Sequence, residues 1–98
     1  MFGKGVYFAD CVSKSANYCC TNRENPTGLL VLCEVALGES NELLRANHSA
    51  DIELPQGKLS TKGLGNFAPE KSSYVNIGSN VKVPLGKPVP THVIFLNL

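Results

Sequence analysis

The sequence lacks several features that would indicate a location or a class of partner. Its 98 residues open with MFGK, which is not the basic-then-apolar start of a signal peptide, and no apolar run reaches membrane-spanning length. The formal net charge is +1, and lysine and arginine are spread along the chain, so no basic patch predicts binding to nucleic acid or membranes. Without repeats, heptads or a linker, the sequence predicts one small domain in a reducing compartment.

The sequence also lacks the spacing of a zinc site. Its four cysteines form no C-x-x-C pair, and the two histidines, His48 and His92, lie far from them and from each other. A cysteine nucleophile would need a positioned histidine, which the pattern does not supply. We therefore expect no metal and no cysteine-based catalysis.

The first part of the chain reads as a strand followed by a helix. Residues 6–8 (VYF) are β-branched and aromatic and predict a short strand after a glycine-rich approach. Asp10 or Ser13 is then expected to cap a short helix over residues 14–20. The polar residues 21–27, which include a proline, predict a loop.

Between Gly28 and Gly38 lies an apolar run, residues 29–37 (LLVLCEVAL). The run is short for a helix and has glycine at both ends, so we predict a strand buried on both faces. Glu34 is its one charged residue, and it is expected to lie at a sheet edge or to pair with backbone donors rather than to act as a catalytic acid.

The remainder is predicted to be less regular. Residues 40–80 are rich in glycine, serine, asparagine and lysine, and they read as a long irregular excursion with a helical turn at residues 42–46. Residues 81–83 alternate and stop at Pro84, which predicts an edge strand, and residues 93–96 predict one more.

One glycine motif carries no function. Residues 63–68 (GLGNFA) fit the loose dinucleotide pattern G-x-G-x-x-A, which works only with a strand before it and a helix after it, but residues 60–62 (STK) precede them and Pro69 follows. The pattern needs a following helix whose N-terminus meets the phosphates. We interpret the match as accidental.

Three side chains near the start of the chain could form a small polar pocket. Ser15 and Tyr18 are three residues apart and share a face if they are helical, and Tyr7 precedes them. Two phenol rings and a hydroxyl suit a flat heteroaromatic ligand that carries an amide. The spacing alone favours the simpler interpretation, in which Tyr7 and Tyr18 are half-buried core aromatics and Ser15 is a residue on the helix surface.

The wording of these segments resembles the signature of the poly(ADP-ribose) polymerases. Residues 1–10 (MFGKGVYFAD) and 13–18 (SKSANY) carry the likeness, which extends to about residue 86 and is strongest to DNA-damage-activated members. The later phrases that agree in order and spacing are residues 28–30, 34–38, 57–58, 60–65 and 83–86. The resemblance implies an α/β (α+β) fold. This fold would be an incomplete ADP-ribosyltransferase-like split mixed β-sheet with a short helix and a long loop. Residues 1–98 would be the C-terminal part of that catalytic domain.

The resemblance also implies roles for individual residues, with NAD⁺ as substrate and no metal. Tyr7, the catalytic-signature residue within the chain, would stack on one side of nicotinamide, and Tyr18 on the other. Ser15 would hold the carboxamide oxygen, Lys14 would border the pocket near the catalytic glutamate, and Met1 and Lys14 would line the acceptor side. The remaining residues of the expected NAD⁺-binding set are Gly5 and Ala9.

The sequence departs from the family pattern at its end. Its last acidic residue is Glu70, whereas the family's catalytic glutamate lies on a strand near the C-terminus, and the family's adenosine-side histidine would precede Met1. We expect a nuclear, NAD⁺-dependent ADP-ribosyltransferase of the DNA-damage response by family, acting on acceptor proteins, with no membrane or direct nucleic-acid contact by this segment. This chain itself is expected to be catalytically incomplete. Alternatives are a non-catalytic piece that binds nicotinamide or a partner, and a piece without a stable fold.

Overall fold

The computed structural model describes residues 1–91, which contain one short helix and six short strands. They divide into two compact units, one of Met1–Tyr7 with Val35–Asn66, the other of Phe8–Glu34 with the described residues from Phe67 onward. No helix in this range is long and apolar enough to cross a membrane. The elements are α1 (Val12–Ala16), β1 (Ser40–Leu43), β2 (Ser60–Gly63), β3 (Phe67–Pro69), β4 (Tyr74–Ile77), β5 (Val81–Pro84) and β6 (Pro88–Pro90), with 3-10 turns at Asn17–Cys19 and Lys71–Ser73.

The first unit is built on a parallel pair of strands. β1 and β2 pair from Ser40 opposite Ser60 to Leu43 opposite Gly63, and the two serine hydroxyls lie 2.6 Å apart. Parallel strands cannot be joined by a tight hairpin, so residues 44–59 form a crossover between them. Among them Ala50 is only 2% exposed, and with Pro69 of β3 it is one of the two buried residues of the described chain.

The second unit contains two antiparallel pairs. β4 and β5 form a hairpin whose turn includes Gly78 at φ 65°, a conformation that glycine adopts without strain. β3 pairs with β6, which begins and ends in proline. Because proline has no N–H to donate, β6 is suited to an edge and does not template a further strand. Within residues 1–91 each strand belongs to a two-stranded sheet.

The predicted helix is shorter than expected and begins earlier. α1 replaces the predicted span 14–20, and a 3-10 turn follows it directly. Cys11 is the N-terminal flanking residue and makes no side-chain cap, so the expected caps, Asp10 and Ser13, are wrong. The tighter winding of the second turn explains why the α-helix does not continue to the predicted end.

The strand predicted at residues 6–8 is also wrong. Within the described residues 1–91 this stretch pairs with no strand, because the Tyr7 hydroxyl bonds back to the backbone of Phe2 and Gly3 and bends the segment. A local side-chain bond here outcompetes the intrinsic preference for an extended strand.

The buried strand predicted at residues 29–37 is wrong as well. Leu29, Val31 and Leu32 are more than four-fifths exposed, and no strand pairs with the run within residues 1–91. Strand preference is expressed only where a neighbouring strand or a packed layer covers the residues. The high apolar content of residues 29–37 is therefore not enough to make them a strand.

Residues 40–80 are more regular than predicted. They contain β1 to β4, and the helical turn expected at residues 42–46 is instead the end of β1 and a bend. The edge strand predicted before Pro84 is confirmed as β5. The strand predicted at residues 93–96 lies outside the described residues. The predicted mixed α/β class is confirmed, with one parallel and two antiparallel pairs.

Candidate functional site

The predicted site residues fall into both compact units. Met1, Gly5 and Tyr7 belong to the first, and the list in the second unit is Ala9, Lys14, Ser15 and Tyr18. Each group is therefore described within its own unit.

In the first unit, residues 1–7 form a loop that is closed by the Tyr7 hydroxyl. This hydroxyl donates a hydrogen bond to the Gly3 carbonyl at 2.6 Å and accepts one from the Phe2 N–H at 3.1 Å. Two bonds to the backbone fix the phenol oxygen, while the residue as a whole stays 51% exposed. The ring is thus oriented by its own loop and still accessible.

Close packing under the loop depends on two glycines. Gly3 has φ 79°, and a Cβ added there would lie 2.9 Å from the Asp51 backbone nitrogen and closer still to its carboxylate. A Cβ on Gly63 would meet the ring of Phe2 at 2.6 Å. The loop therefore fits its unit only because side chains are absent at both positions.

The other predicted residues of this unit lie at its surface. Gly5 is exposed and has open space around the position of a Cβ. The amino group of Met1 lies 3.4 Å from Nδ1 of His48, and Met1 is 48% exposed. Both are accessible.

In the second unit, α1 and the turn that follows carry the remaining residues. The backbone N–H groups of Lys14 and Ser15 both donate to the Cys11 carbonyl, at 3.1 and 3.4 Å. Ser15 is half-buried, Lys14 is exposed, and Tyr18 is 69% exposed on the turn. Ala9, just before α1, is exposed as well.

The turn ends at Cys20, whose φ of 52° is left-handed. Just before it, Cys19 donates from Sγ to the Leu29 carbonyl at 3.4 Å, and a Cβ on Gly28 would lie 3.2 Å from the Cys19 Cβ. The chain thus reverses after Tyr18 and returns past the turn, which leaves the Tyr18 ring at the surface.

Sequence reasoning did not single out the surroundings of Cys11. Partial burial raises the pKa of this thiol, and the Asp10 carboxylate raises it further by its charge and a hydrogen bond, whereas Lys14 acts in the opposite direction. Cys11 also borders a cleft of about 300 Å³, and none of the predicted site residues line it. The lining residues are Asp10, Cys11, Val12, Ser13, Pro84, Leu85, Gly86 and Pro88.

The described residues contain no group of three or more side chains that could bind a metal ion. Within residues 1–91 no three side chains of histidine, cysteine, aspartate or glutamate come close enough to share an ion. All four cysteines are free thiols. What the predicted residues offer instead is two accessible phenol rings, one half-buried hydroxyl and one ammonium group.

Comparison with known proteins gives one consistent result. Residues 1–94 match the family model described as the poly(ADP-ribose) polymerase catalytic domain. The chain is 61% identical to poly(ADP-ribose) polymerase 2 of Arabidopsis thaliana over 89 residues, which cover 91% of this chain and 14% of that protein. It is 55% identical to the human poly(ADP-ribose) polymerase 2 over 94 residues, or 96% of this chain and 16% of the relative.

A second subgroup is almost equally similar. Poly(ADP-ribose) polymerase 1 of Danio rerio is 54% identical over 93 residues, which cover 95% of this chain and 9% of that protein. The chain thus spans less than a fifth of the length of these relatives. Because the family model covers nearly all of it, the chain belongs to the poly(ADP-ribose) polymerase catalytic-domain family.

Proposed function

We propose that this chain supplies the nicotinamide-binding portion of an NAD⁺-dependent ADP-ribosyltransferase that modifies acceptor proteins in the nuclear response to DNA damage. The observation that carries the proposal is the family match over residues 1–94, within which residues 1–18 carry the resemblance to the family signature. On this proposal residues 1–98 are the C-terminal part of the catalytic domain, without the upstream histidine motif and the downstream glutamate strand.

The proposed ligand contacts use aromatic faces and one hydroxyl. The rings of Tyr7 and Tyr18 stack on nicotinamide, and Ser15 donates its hydroxyl proton to the carboxamide oxygen. The Tyr7 hydroxyl already has two backbone partners, so its ring can serve a ligand without leaving an unpaired polar atom. Support comes from the exposure of both rings and the partial burial of Ser15.

Four more residues complete the proposed site. The ammonium group of Lys14 is exposed, as its proposed place at the border of the pocket requires, and Met1 lies on the acceptor side. Backbone at Gly5 and Ala9 approaches NAD⁺. Of these, Gly5 has open space around the position of a Cβ, so a ligand can come close to it.

The chemistry proposed for the parent enzyme is substitution at the ribose C1 of NAD⁺. The bond from C1 to the nicotinamide nitrogen breaks, nicotinamide leaves, and an acceptor oxygen forms the new bond at C1 as its proton is lost. The protein holds the nicotinamide leaving group in position, and a carboxylate stabilises the positive charge that develops on the ribose. Residues after Glu70 include no acid, so we propose that the 98 residues alone transfer no ADP-ribose.

The lack of acidic residues after Glu70 also favours a second candidate function. With stacking groups but no carboxylate after Glu70, the chain would bind nicotinamide or a partner protein without catalysing transfer. Affinity for whole NAD⁺ would then be low, because contacts to its adenosine side would contribute little.

Nicotinamide binding tests the site directly. Titration of the 98-residue chain with nicotinamide, followed by NMR shifts of residues 1–20, should give saturable binding in the millimolar range. Tyr18→Ala should weaken it about 5- to 150-fold, since one stacked ring is worth about 1–3 kcal/mol. Phe67→Ala is the matched control, because Phe67 is similarly exposed at 62% and lies outside the signature, so affinity should not change.

A transfer assay tests the catalytic incompleteness of the 98-residue chain, which both candidates predict. With radiolabelled NAD⁺ and an acceptor protein, the chain should incorporate no label above a Tyr7→Ala variant. Incorporation above that variant would refute catalytic incompleteness. Absence of any nicotinamide binding, or equal weakening by Tyr18→Ala and Phe67→Ala, would refute the proposed site itself.

A further inference from the structure

Two cysteines, Cys19 and Cys20, are adjacent in the sequence, and the proposed function uses neither thiol. Cys19 is the last residue of the 3-10 turn and is half-buried, whereas Cys20 directly follows the turn and is exposed. Both are free thiols and both belong to the second unit. Consecutive residues thus present two sulfur atoms at the end of one turn.

Neither thiol is needed to hold the turn. Cys19 donates one weak hydrogen bond from Sγ to the Leu29 carbonyl at 3.4 Å, and no hydrogen bond of the Cys20 thiol is found within residues 1–91. The bond of Cys19 uses only its proton, which is lost in any case when a ligand binds the thiolate. Both sulfur atoms are therefore open to a ligand that prefers sulfur.

A direct disulfide between the two residues would be strained. Consecutive Cα atoms lie about 3.8 Å apart, whereas the Cα atoms of most disulfides are separated by about 4.4–6.8 Å. An atom that bridges the two sulfurs makes the ring one atom larger and relieves this strain. The pair is thus better suited to a bridging ligand than to a bond between its own sulfurs.

The number of available ligands selects the class of bridging atom. A structural zinc ion needs about four ligands, and within residues 1–91 no three side chains of the ligating types come together. A trivalent arsenic atom that already carries one organic group has two bonds left, and two thiolates complete it. Arsenic in this state is also soft, and thiolates are the soft ligands among protein side chains.

We propose that Cys19 and Cys20 form a dithiol site for trivalent arsenicals that carry one organic group. With an arsine oxide, the oxygen takes up the two thiol protons and leaves as water, two As–S bonds form, and arsenic stays trivalent. The second As–S bond closes within one molecule, so the pair should hold arsenic about 100-fold more tightly than a single thiol does. Cys11 and Cys33 have no adjacent cysteine and lack this advantage.

Mass spectrometry of the full chain with phenylarsine oxide tests the site, after reduction with a phosphine. The mass should rise by one phenylarsenic group less two hydrogens, and the adduct should survive an excess of glutathione but not of 2,3-dimercaptopropanol. Cys20→Ser should weaken retention against glutathione about 100-fold. Cys33→Ser is the matched control at another exposed cysteine and should leave retention unchanged.

Peptide mapping of the unaltered chain locates the arsenic without any substitution. After phenylarsine oxide has bound, iodoacetamide should alkylate Cys11 and Cys33 under denaturing conditions and leave Cys19 and Cys20 unlabelled. Removal of the arsenic with 2,3-dimercaptopropanol should restore labelling of both. This measurement does not depend on how well a serine variant folds.

Each other outcome overturns the proposal. Equal loss of retention in Cys20→Ser and Cys33→Ser would mean that arsenic bridges thiols that are distant in sequence. Labelling of Cys20 in the arsenical adduct, or release of the adduct by glutathione alone, would mean that the pair does not act as a dithiol. The nicotinamide titration is done without an arsenical, so the two proposals fail separately.

Discussion

Two regions of this chain look alike in sequence and differ in structure. Residues 6–8 and residues 29–37 are both rich in β-branched, aliphatic or aromatic side chains, and neither forms a strand. The first is held by two hydrogen bonds between its own Tyr7 hydroxyl and the backbone of Phe2 and Gly3, whereas no backbone-to-backbone hydrogen bond of the second is found within residues 1–91. The comparison teaches that residues 6–8 are fixed by partners only a few residues away, whereas distant partners must be brought together against chain entropy.

Among the substitutions that test this comparison, Gly3→Ala is expected to have the largest effect on stability. A side chain there would be strained at φ 79° and would overlap Asp51, so the closed loop should lose about 2–4 kcal/mol of local stability. Amide hydrogen exchange at Phe2, whose N–H bonds to Tyr7, measures the loss.

Two matched glycines separate strain from overlap. Gly57 has φ 83° but open space, so Gly57→Ala should cost only the strain, about 1 kcal/mol, in its own turn. Gly5→Ala adds neither strain nor overlap and should leave exchange at Phe2 unchanged. If Gly3→Ala were as mild as Gly5→Ala, packing against Asp51 would not hold the loop.

Tyr7→Phe removes the hydroxyl and keeps the ring. The Phe2 N–H loses its acceptor, and at about 1 kcal/mol for one hydrogen bond its exchange should be roughly 5-fold faster. Tyr18→Phe is the control, since no hydrogen bond of the Tyr18 hydroxyl is found within residues 1–91. Equal exchange in both variants would contradict the idea that the hydroxyl closes the loop.

The sequence predicts those parts of the structure that have a local signal and misses those that depend on contacts the pattern does not show. The edge strand before Pro84 was predictable because alternation and a proline are local signals. The closed loop was not, because the preference of residues 6–8 for a strand gives no sign that the Tyr7 hydroxyl will turn back to Gly3. The parallel pairing of β1 with β2 depends on contacts between residues about twenty apart, which composition does not encode.

The candidate site was predictable only through the family resemblance. Spacing put Ser15 and Tyr18 on one face, and both lie on the short helical segment that runs through α1 and its turn. Whether an exposed tyrosine is a ligand platform or a surface ring is not encoded in its spacing. Only the wording of residues 1–18, supported by the family match, favours the first.

The charges around Cys11 are expected to have a smaller effect, which is on the reactivity of its thiol. Its raised pKa means that less thiolate is present at a given pH, so alkylation of Cys11 by iodoacetamide should require higher pH than for an ordinary thiol. Asp10→Asn removes a negative neighbour and should move the rate profile to lower pH, whereas Lys14→Met should move it to higher pH. The assay uses a chain whose other three cysteines are serine, and shifts of the opposite sign would contradict the assigned causes.

The smallest expected effect is that of Val31→Thr, and it decides how the apolar run should be understood. Threonine has nearly the shape and strand preference of valine, so the change mainly adds a hydroxyl. If the run were a strand buried on both faces, that hydroxyl would cost about 1–3 kcal/mol, whereas at 83% exposure the free energy of unfolding should change by less than about 0.5 kcal/mol. Urea unfolding at low micromolar concentration measures it, with Ala50→Ser as the buried counterpart that should show the larger loss. A small change at Val31 beside a large one at Ala50 would mean that this run contributes little to the stability of the chain.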